Sequence, residues 1–144
     1  MTPDVNVLVA AAREDHPHHA VAHIWLKDAV QVAHRQSNLR IMGMVVAGFL
    51  RVMTHPKTFT PPTPMADAVI FIEVLLSRPG VALLATQGEW PLLKSLCLEK
   101  DLLGNDVPDA WIAACVLQHR ETLATFDPDF AKLLKPKHLH LLKR

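Results

Sequence analysis

The segment P-D-V-N-V-L-V-A, residues 3–10, places a carboxylate next to an unbroken apolar run. A short apolar run rich in β-branched residues predicts a buried strand over Val5–Val9. Asp4 lies at the boundary of this strand, and Asn6 lies next to it. The segment therefore predicts a polar site at the edge of a sheet.

Two further aspartates occupy similar positions. Asp109 belongs to V-P-D-A-W-I-A-A, residues 107–114, and Asp127 belongs to L-A-T-F-D-P-D-F, residues 123–130. In a parallel α/β protein the carboxyl ends of the strands meet at one crevice. Three carboxylates there would repel one another unless they shared a cation, and Mg²⁺ or Mn²⁺ suits such oxygen ligands. The sequence therefore predicts an acidic, metal-holding crevice suited to phosphate chemistry.

Each aspartate also has a purely structural interpretation. Asp109 is a plausible N-cap for a helix over residues 109–119. Asp127 followed by Pro128 is typical of a type I turn. Asp4 could simply end a strand, and Asp106 could either join the crevice or face water. The coincidence of three aspartates at three element boundaries favours a shared site.

The rest of the chain alternates between helical and strand patterns. Helices are predicted at 18–32, 39–53, 64–78, 89–100 and 109–119, and further strands at 81–85 and 122–126. This alternation indicates βαβ units and a mostly parallel sheet. With 144 residues the chain is long enough for one domain, predicted to span 1–144.

Composition excludes several classes of protein. Half of the residues are hydrophobic and a fifth are charged, which is typical of a globular domain. We expect no membrane span and no signal peptide, and hence a cytoplasmic protein. The net charge of +1 creates no strong field towards nucleic acid.

The basic tail from Lys132 to Arg144 is predicted to be either a solvated, fraying end or a nucleic-acid contact. Cys97 and Cys115 are predicted to be reduced core residues.

Three further groups of side chains have alternative interpretations: a histidine cluster, the tryptophans and an apolar surface. Histidines cluster at residues 16–23, and His19 and His23 could share Zn²⁺, although a solvated helix start fits this segment better. The tryptophans are expected to be core or interface anchors; they are Trp25, Trp90 and Trp111. The apolar surface over 45–50 is expected to face a second subunit.

Taken together, these segments resemble the PIN-domain family, specifically the VapC toxins of bacterial toxin–antitoxin pairs. The resemblance also rests on D-H-P-H-H-A-V-A-H-I-W-L at 15–26, G-F-L-R-V-M-T-H-P-K-T-F at 48–59 and G-N-D-V-P-D-A-W-I-A-A-C at 104–115. It implies a three-layer α/β/α sandwich with a mostly parallel central sheet and a homodimer. It also implies Mg²⁺- or Mn²⁺-dependent cleavage of RNA, and inhibition by a small VapB-type antitoxin that covers the acidic site.

The same resemblance assigns roles to individual residues. Asp4, Asp109 and Asp127 match the family's metal-binding aspartates. Asn6 and Thr125 match its supporting polar positions. Asp129 matches a less regular acidic position, and Asp106 is a further supporting candidate. Arg13 and Arg51 are candidates for contacts with the RNA backbone.

The chain departs from the family pattern in one respect. The family usually places another acidic residue in the helix before G-F-L-R-V, near Gly43 or Val46, but residues 41–53 contain no acid. Two interpretations stay open: a ribonuclease with fewer carboxylates, and a catalytically inactive PIN-fold module that binds RNA or protein. A small-molecule phosphohydrolase is disfavoured, because Asn6 cannot exchange protons beside an aspartyl nucleophile.

Overall fold

The computed structural model describes residues 1–143 as five short strands and six helices. The strands are β1 (Thr2–Pro3), β2 (Leu39–Met42), β3 (Val81–Leu84), β4 (Leu123–Thr125) and β5 (Leu139–Leu141). The helices are α1 (Val5–Ala12), α2 (His19–Gln36), α3 (Gly43–Met53), α4 (Met65–Leu76), α5 (Trp90–Glu99) and α6 (Asp106–Gln118). Two 3₁₀ turns, Pro128–Lys132 and Pro136–His138, lie between β4 and β5. The predicted α/β class is confirmed.

Every strand pairing is parallel. One sheet has the order β1-β4-β5, and β2 pairs with β3 in a second. The Arg40 N–H donates a 3.0 Å hydrogen bond to the Met1 carbonyl, which places β2 beside β1 and gives the order β3-β2-β1-β4-β5. From β1 the chain first adds strands on one side, up to β3, and then on the other side, from β4 onward. Right-handed crossovers therefore put the helices of these two halves on opposite faces of the sheet. This arrangement agrees with the predicted three layers.

Helix α1 is the central element of the core. Five consecutive residues, 7–11, are buried, and the helix packs against α2, α3 and the end of β4. Phe49 of α3 is fully buried, and its ring stacks on Phe71 of α4 with centroids 5.2 Å apart. Val45 is also fully buried. The expectation that the 45–50 surface faces a second subunit was therefore wrong for these two side chains, because the chain itself covers them.

The strand predicted over Val5–Val9 was wrong, since these residues belong to α1. An apolar run that is buried on all sides lacks a period that distinguishes a strand from a helix. Asp4 decides the local structure, because its side chain accepts the Val5 N–H and caps the helix. The low helix propensity of three valines costs only a few tenths of a kcal/mol each, which burial outweighs.

The helix predicted over 39–53 was wrong in its first turn. Residues Leu39–Met42 form β2 in register with Val81–Leu84, and the helix begins at Gly43. Pairing with β3 satisfies backbone groups that the apolar pattern alone would assign to a helix. Gly43 consequently lies at the start of α3 rather than in its interior.

The basic tail does not fray within residues 1–143; Arg144 lies outside the described residues. Leu139–Leu141 form an edge strand parallel to β4, and Leu142 is buried. Cys115 is buried and Cys97 is partly buried, and both are free thiols, as predicted. Burial raises the pKa of Cys115 to about 12, so this thiol is unreactive at neutral pH. No helix within residues 1–143 is long and apolar enough to cross a membrane.

Candidate active site

Asp4 connects the end of β1 to the start of α1, and both of its carboxylate oxygens accept hydrogen bonds. Oδ1 accepts the Val5 N–H at 2.7 Å. Oδ2 accepts the Thr125 hydroxyl at 2.7 Å and the Asn6 amide at 3.0 Å. The side chain is buried, so these contacts fix the direction in which its remaining lone pairs point.

Asn6 and Thr125 tie the end of β4 to α1. The Asn6 carbonyl oxygen accepts the Phe126 N–H at 3.2 Å, and its amide donates to the Thr125 hydroxyl at 3.1 Å. The same hydroxyl accepts the Asp127 N–H at 3.0 Å. The two polar residues therefore hold the Asp4 and Asp127 segments together.

Asp127 and Asp109 come from different elements. Asp127 precedes the 3₁₀ turn Pro128–Lys132, and its Oδ1 accepts the Asp129 N–H at 2.9 Å. The turn predicted at this point is confirmed. Asp109 was expected to be an N-cap, but α6 begins at Asp106, so Asp109 lies inside the first turn. Pro108 is tolerated there because first-turn N–H groups have no helical partner.

The three aspartates line one cavity of about 950 Å³. It opens at the carboxyl ends of β1 and β4, the two strands between which the winding direction reverses. Such a reversal is the usual location of ligand sites in open α/β sheets. The cavity brings together Asp4, Asp109 and Asp127, with Asn6 beside them. Its other polar lining residues are His16, Arg51 and Thr58.

Proximity and burial shift the pKa values of two of these carboxyls. The pKa of Asp109 is raised to about 6, first by burial and then, in decreasing order, by the charges of Asp4, Asp127, Asp106 and Asp129. Burial also raises the pKa of Asp4; the Thr125 hydrogen bond opposes this shift, and the Asp127 charge adds to it. The crevice is therefore short of positive charge, as expected for the protein side of a cation site.

The donor set suits a hard divalent ion held in an open site. Within residues 1–143 no group of three or more His, Cys, Asp or Glu side chains is arranged so that it could hold a metal ion by itself. Mg²⁺ keeps several waters and commonly binds proteins through only one or two carboxylates. Carboxylates that line an open cavity fit that mode. Because the pKa of Asp109 is raised, a metal ion that bound there would have to displace the proton of this carboxyl.

Two further acidic candidates lie next to this cavity rather than in it. Asp106 and Asp129 line a neighbouring pocket of about 300 Å³ that also contains Lys100 and Lys132. Asp129 forms an exposed ion pair with Lys132 at 3.1 Å. Asp109 borders both pockets. Asp106 and Asp129 thus affect the site mainly through their charge on Asp109.

The two arginine candidates differ in position. Arg51 of α3 lines the acidic cavity. Arg13 does not: its guanidinium makes a bidentate ion pair with Asp15 and donates to the Pro61 carbonyl at 3.1 Å. The same group lies 4.1 Å from the centroid of the Phe59 ring. Arg13 therefore braces the loop after α3, and of the two candidates Arg51 is the one that lines the cavity.

Neither Gly43 nor Val46 lines the cavity. The part of α3 that faces it consists of Met44, Ala47, Gly48, Arg51 and Val52. Val46 packs against the core instead. A carboxylate added to α3 would therefore enter the cavity from a lining position such as 44 or 47 rather than from 43 or 46.

Trp111 and His16 are among the cavity residues that were not assigned to the site from the sequence. Trp111, expected to be an anchor, is 47% exposed and lines the cavity wall. A usable signal was present, because the small residues Ala110, Ala113 and Ala114 mark the buried face of α6 and Trp111 lies off it. His16 also lines the cavity. In the sequence it is one of several clustered histidines at 16–23, and nothing there distinguishes it from its neighbours.

A family model and named relatives match nearly the whole chain. The PIN domain family model matches residues 1–135. The chain belongs to the PIN-domain family. It is 36% identical over 138 residues to Ribonuclease VapC25 of Mycobacterium tuberculosis, covering 94% of each chain. It is also 36% identical over 141 residues to Ribonuclease VapC43 of the same organism, covering 96% of this chain and 93% of the relative.

Solved structures share the fold at low sequence identity. One is the structure of VapBC2 from Rickettsia felis bound to a DNA fragment from the promoter. It matches with a TM-score of 0.65 at 16% identity, and the match covers 99% of this PIN-domain chain and 98% of the matched chain. VapC20 of Mycobacterium tuberculosis, described as a Sarcin-Ricin loop cleaving toxin, has a TM-score of 0.61 at 15% identity and covers 91% and 92%. At such identities these structures support the fold alone.

Proposed function

We propose that this PIN-domain chain is a divalent-metal-dependent endoribonuclease, the toxin of a VapBC-type pair, that acts in the cytoplasm. One observation carries the proposal: Asp4, Asp109 and Asp127, from three separate elements, line a single cavity. The naming of relatives as ribonucleases over nearly the whole chain supports RNA as the substrate.

The residues of the cavity have separate roles in this proposal: some would hold the metal, others support those ligands, and one contacts the RNA. Asp4, Asp109 and Asp127 would hold Mg²⁺ or Mn²⁺, and Thr125 and Asn6 keep Asp4 in place. A bound ion would lower the pKa of a water molecule and neutralise charge on the phosphate. Arg51 is positioned to contact the RNA backbone. The open cavity suits a single-stranded or looped segment, whose bases are reachable.

A matched set of variants tests this proposal. The purified chain is incubated with an end-labelled unstructured RNA in Mg²⁺, in Mn²⁺ and in EDTA. We expect cleavage with either metal, and losses of at least a hundredfold in EDTA, Asp4→Asn and Asp109→Asn. Asp28→Asn, which changes an exposed aspartate of α2 outside the cavity, is the control and should match the wild type. Cleavage that persists in EDTA would contradict the proposal.

The proposed partner is a small VapB-type antitoxin whose segment covers the acidic cavity. The Rickettsia felis structure, a VapBC complex, supports a partner of this kind. Adding such an antitoxin should abolish RNA cleavage, and it should protect the cavity residues from hydrogen exchange. Inhibition without protection at Asp4 or Asp109 would place the antitoxin elsewhere.

We also propose a homodimer. Helix α4 leaves apolar side chains in water, since Ile70 is 57% exposed and Val74 is 49% exposed. Exposed apolar side chains grouped on one helix are typical of an association surface. Sedimentation should give twice the monomer mass, and I70E/V74E should give the monomer. A wild-type monomer at micromolar concentration would contradict this part of the proposal.

The second candidate function is an inactive PIN-fold module that binds RNA or protein. It is favoured by the absence, within residues 1–143, of any α3 carboxylate in the cavity. It predicts RNA binding without cleavage in both metals. Turnover of a simple phosphate monoester in place of RNA would instead indicate the small-molecule phosphohydrolase.

A further inference from the structure

His16 lies in the loop between α1 and α2, partly buried, and lines the cavity that contains Asp4 and Asp127. Its Nδ1 accepts the backbone N–H of His18 at 3.0 Å. A ring nitrogen that accepts a hydrogen bond carries the lone pair, so the single proton of the neutral imidazole is on Nε2. The backbone therefore selects one tautomer of His16.

The surrounding structure favours the neutral ring and fixes its position. Burial lowers the pKa of His16, and the neighbouring His18 and His19 lower it further, while Asp15 opposes the shift. The His16 N–H donates to the Arg13 carbonyl at 3.0 Å, and its carbonyl accepts the His19 N–H at 3.0 Å. The imidazole is thus held by the loop backbone as well as by its own Nδ1 contact.

A second contact links this loop to the acidic site. The His18 ring stacks on Phe126, with centroids 4.9 Å apart. Phe126 follows Thr125 directly, and its N–H is held by Asn6. The segment that positions Asp127 therefore also positions the backbone N–H that orients His16.

Tautomer and location limit what His16 can do. A protonated Nε2 has no lone pair, so it can neither bind a metal ion nor accept a proton. Within residues 1–143 this nitrogen makes no hydrogen bond, so its N–H is available to a ligand in the cavity. An N–H donor on a residue that lines a cavity suited to phosphate chemistry complements an anionic oxygen.

We propose that His16 is a substrate-contacting residue that donates a hydrogen bond from Nε2 to a non-bridging phosphate oxygen of the RNA backbone. This inference rests on the proposed function, because it needs a phosphodiester in the cavity. It assigns His16 to substrate binding and separates it from the carboxylates that would hold the metal.

Three substitutions at one position test the role. Gln places an amide N–H close to the position of the His Nε2, whereas Asn can accept the His18 N–H but is too short to reach the phosphate. We expect His16→Ala and His16→Asn to lose about tenfold to a hundredfold in kcat/KM for RNA, the range of one hydrogen bond to a charged group. His16→Gln should recover most of this loss. Equal activity of the Gln and Asn variants would overturn the proposal.

A measurement without catalysis separates this idea from the proposed function. Nitrogen-15 NMR of the metal-free protein in EDTA should show His16 with a protonated Nε2 and an unprotonated Nδ1. Titration with inorganic phosphate in Mg²⁺, which would offset the charge of the carboxylates, should shift the Nε2 resonance in the wild type and in the control variant Asp28→Asn. If the wild type cuts no RNA but shows both signals, the proposed ribonuclease function is contradicted and the proposed role of His16 is not. An Nδ1–H tautomer, or an Nε2 signal unchanged by phosphate, would overturn the role of His16.

Discussion

The hydroxyl of Thr125 lies 2.7 Å from Oδ2 of Asp4, across 121 residues of sequence. Both side chains are buried, so the bond joins the end of β4 to the cap of α1 away from bulk water. Removing one partner leaves a buried carboxylate oxygen with one donor fewer, which costs more than the bond itself contributes. This contact therefore links the stability of the fold to the geometry of the site.

The first prediction concerns this hydrogen bond. Thr125→Val should lower the free energy of unfolding by about 1–3 kcal/mol in urea denaturation, and RNA cleavage should fall more than tenfold. Thr125→Ser keeps the hydroxyl and loses one methyl group, so a stability loss of about 1 kcal/mol with near-normal cleavage is expected. If the Val variant were as stable and active as the Ser variant, the hydrogen bond would have no role.

The second prediction uses the pKa of Asp109. Its folded value of about 6 lies above the ordinary value of 3.8, so the folded state binds this proton more tightly than the unfolded state. The resulting stabilisation is complete below pH 3.8 and is lost as pH rises through 6. Because the side chain is partly exposed, Asp109→Asn should stabilise the metal-free protein at pH 7 by only about 1 kcal/mol.

Chemical denaturation at pH 5 and pH 7 in EDTA checks this expectation. The gain from Asp109→Asn should be smaller at pH 5, where the wild-type carboxyl is mostly protonated. The control Asp28→Asn should show no such difference between the two pH values. A loss of stability in Asp109→Asn at pH 7 would mean that Asp109 makes a favourable contact that outweighs its repulsion by the other aspartates.

The third prediction concerns metal binding. Mg²⁺ or Mn²⁺ at ten times its dissociation constant should stabilise the wild type by about 1.4 kcal/mol, since only the folded state assembles the site. The affinity should rise as pH increases through about 6, because the metal competes with the Asp109 proton. Thermal melts of Asp4→Asn and Asp109→Asn should show no metal response, whereas Asp28→Asn should respond like the wild type.

The fourth prediction concerns the carboxylate that α3 lacks. Ala47 lines the cavity, so Ala47→Glu should tighten metal binding and raise RNA cleavage several-fold. Gly43→Glu is the matched control, because a side chain at 43 meets nothing within 4 Å and 43 is outside the cavity lining. Gly48 is unsuitable, since a Cβ there would lie 2.7 Å from Val5 Cγ2. Equal effects at 43 and 47 would contradict this placement of the missing acid.

The fifth prediction concerns Trp111. A tryptophan exposed in a cavity that we propose to bind RNA can stack on a base, and base stacking contributes about 1–3 kcal/mol. Trp111→Ala should therefore weaken binding of single-stranded RNA about tenfold or more in fluorescence anisotropy without metal, and Trp111→Phe should lie between the two. Trp90, which is 66% exposed but outside the cavity lining, is the control. Equal losses in both alanine variants would indicate a non-specific effect.

The local signals in the sequence were sufficient for the strand at 81–84 and for the turn after Asp127. Each of these depends on neighbouring residues: a short apolar run beside Pro79 and Gly80, and an Asp-Pro pair. Asp4 and Asp127 follow the parallel strands β1 and β4, as the prediction of strand ends required, whereas Asp109 reaches the cavity from the first turn of α6, which follows another helix. In these cases local chemistry and chain topology favour the same structure.

The elements that the sequence alone misassigned are those where long-range pairing or burial competes with the local pattern. Val5–Val9 is apolar in either conformation, and only the capping carboxylate of Asp4 and burial on all sides make it a helix. Leu39–Met42 becomes a strand because β3 pairs with it from about forty residues further along the chain. Periodicity carries no information about such a partner.

The sequence by itself determined the fold class and the family, and it singled out three aspartates as candidates, because apolar patterning and acidic motifs are local properties. Only the tertiary structure decided which other side chains share the cavity with them. It places Arg51, His16 and Trp111 at the cavity, and Arg13, Gly43 and Val46 outside its lining. The reason is geometric: the direction of a side chain depends on the helix phase and on the packing of neighbouring elements, and a single sequence does not specify either.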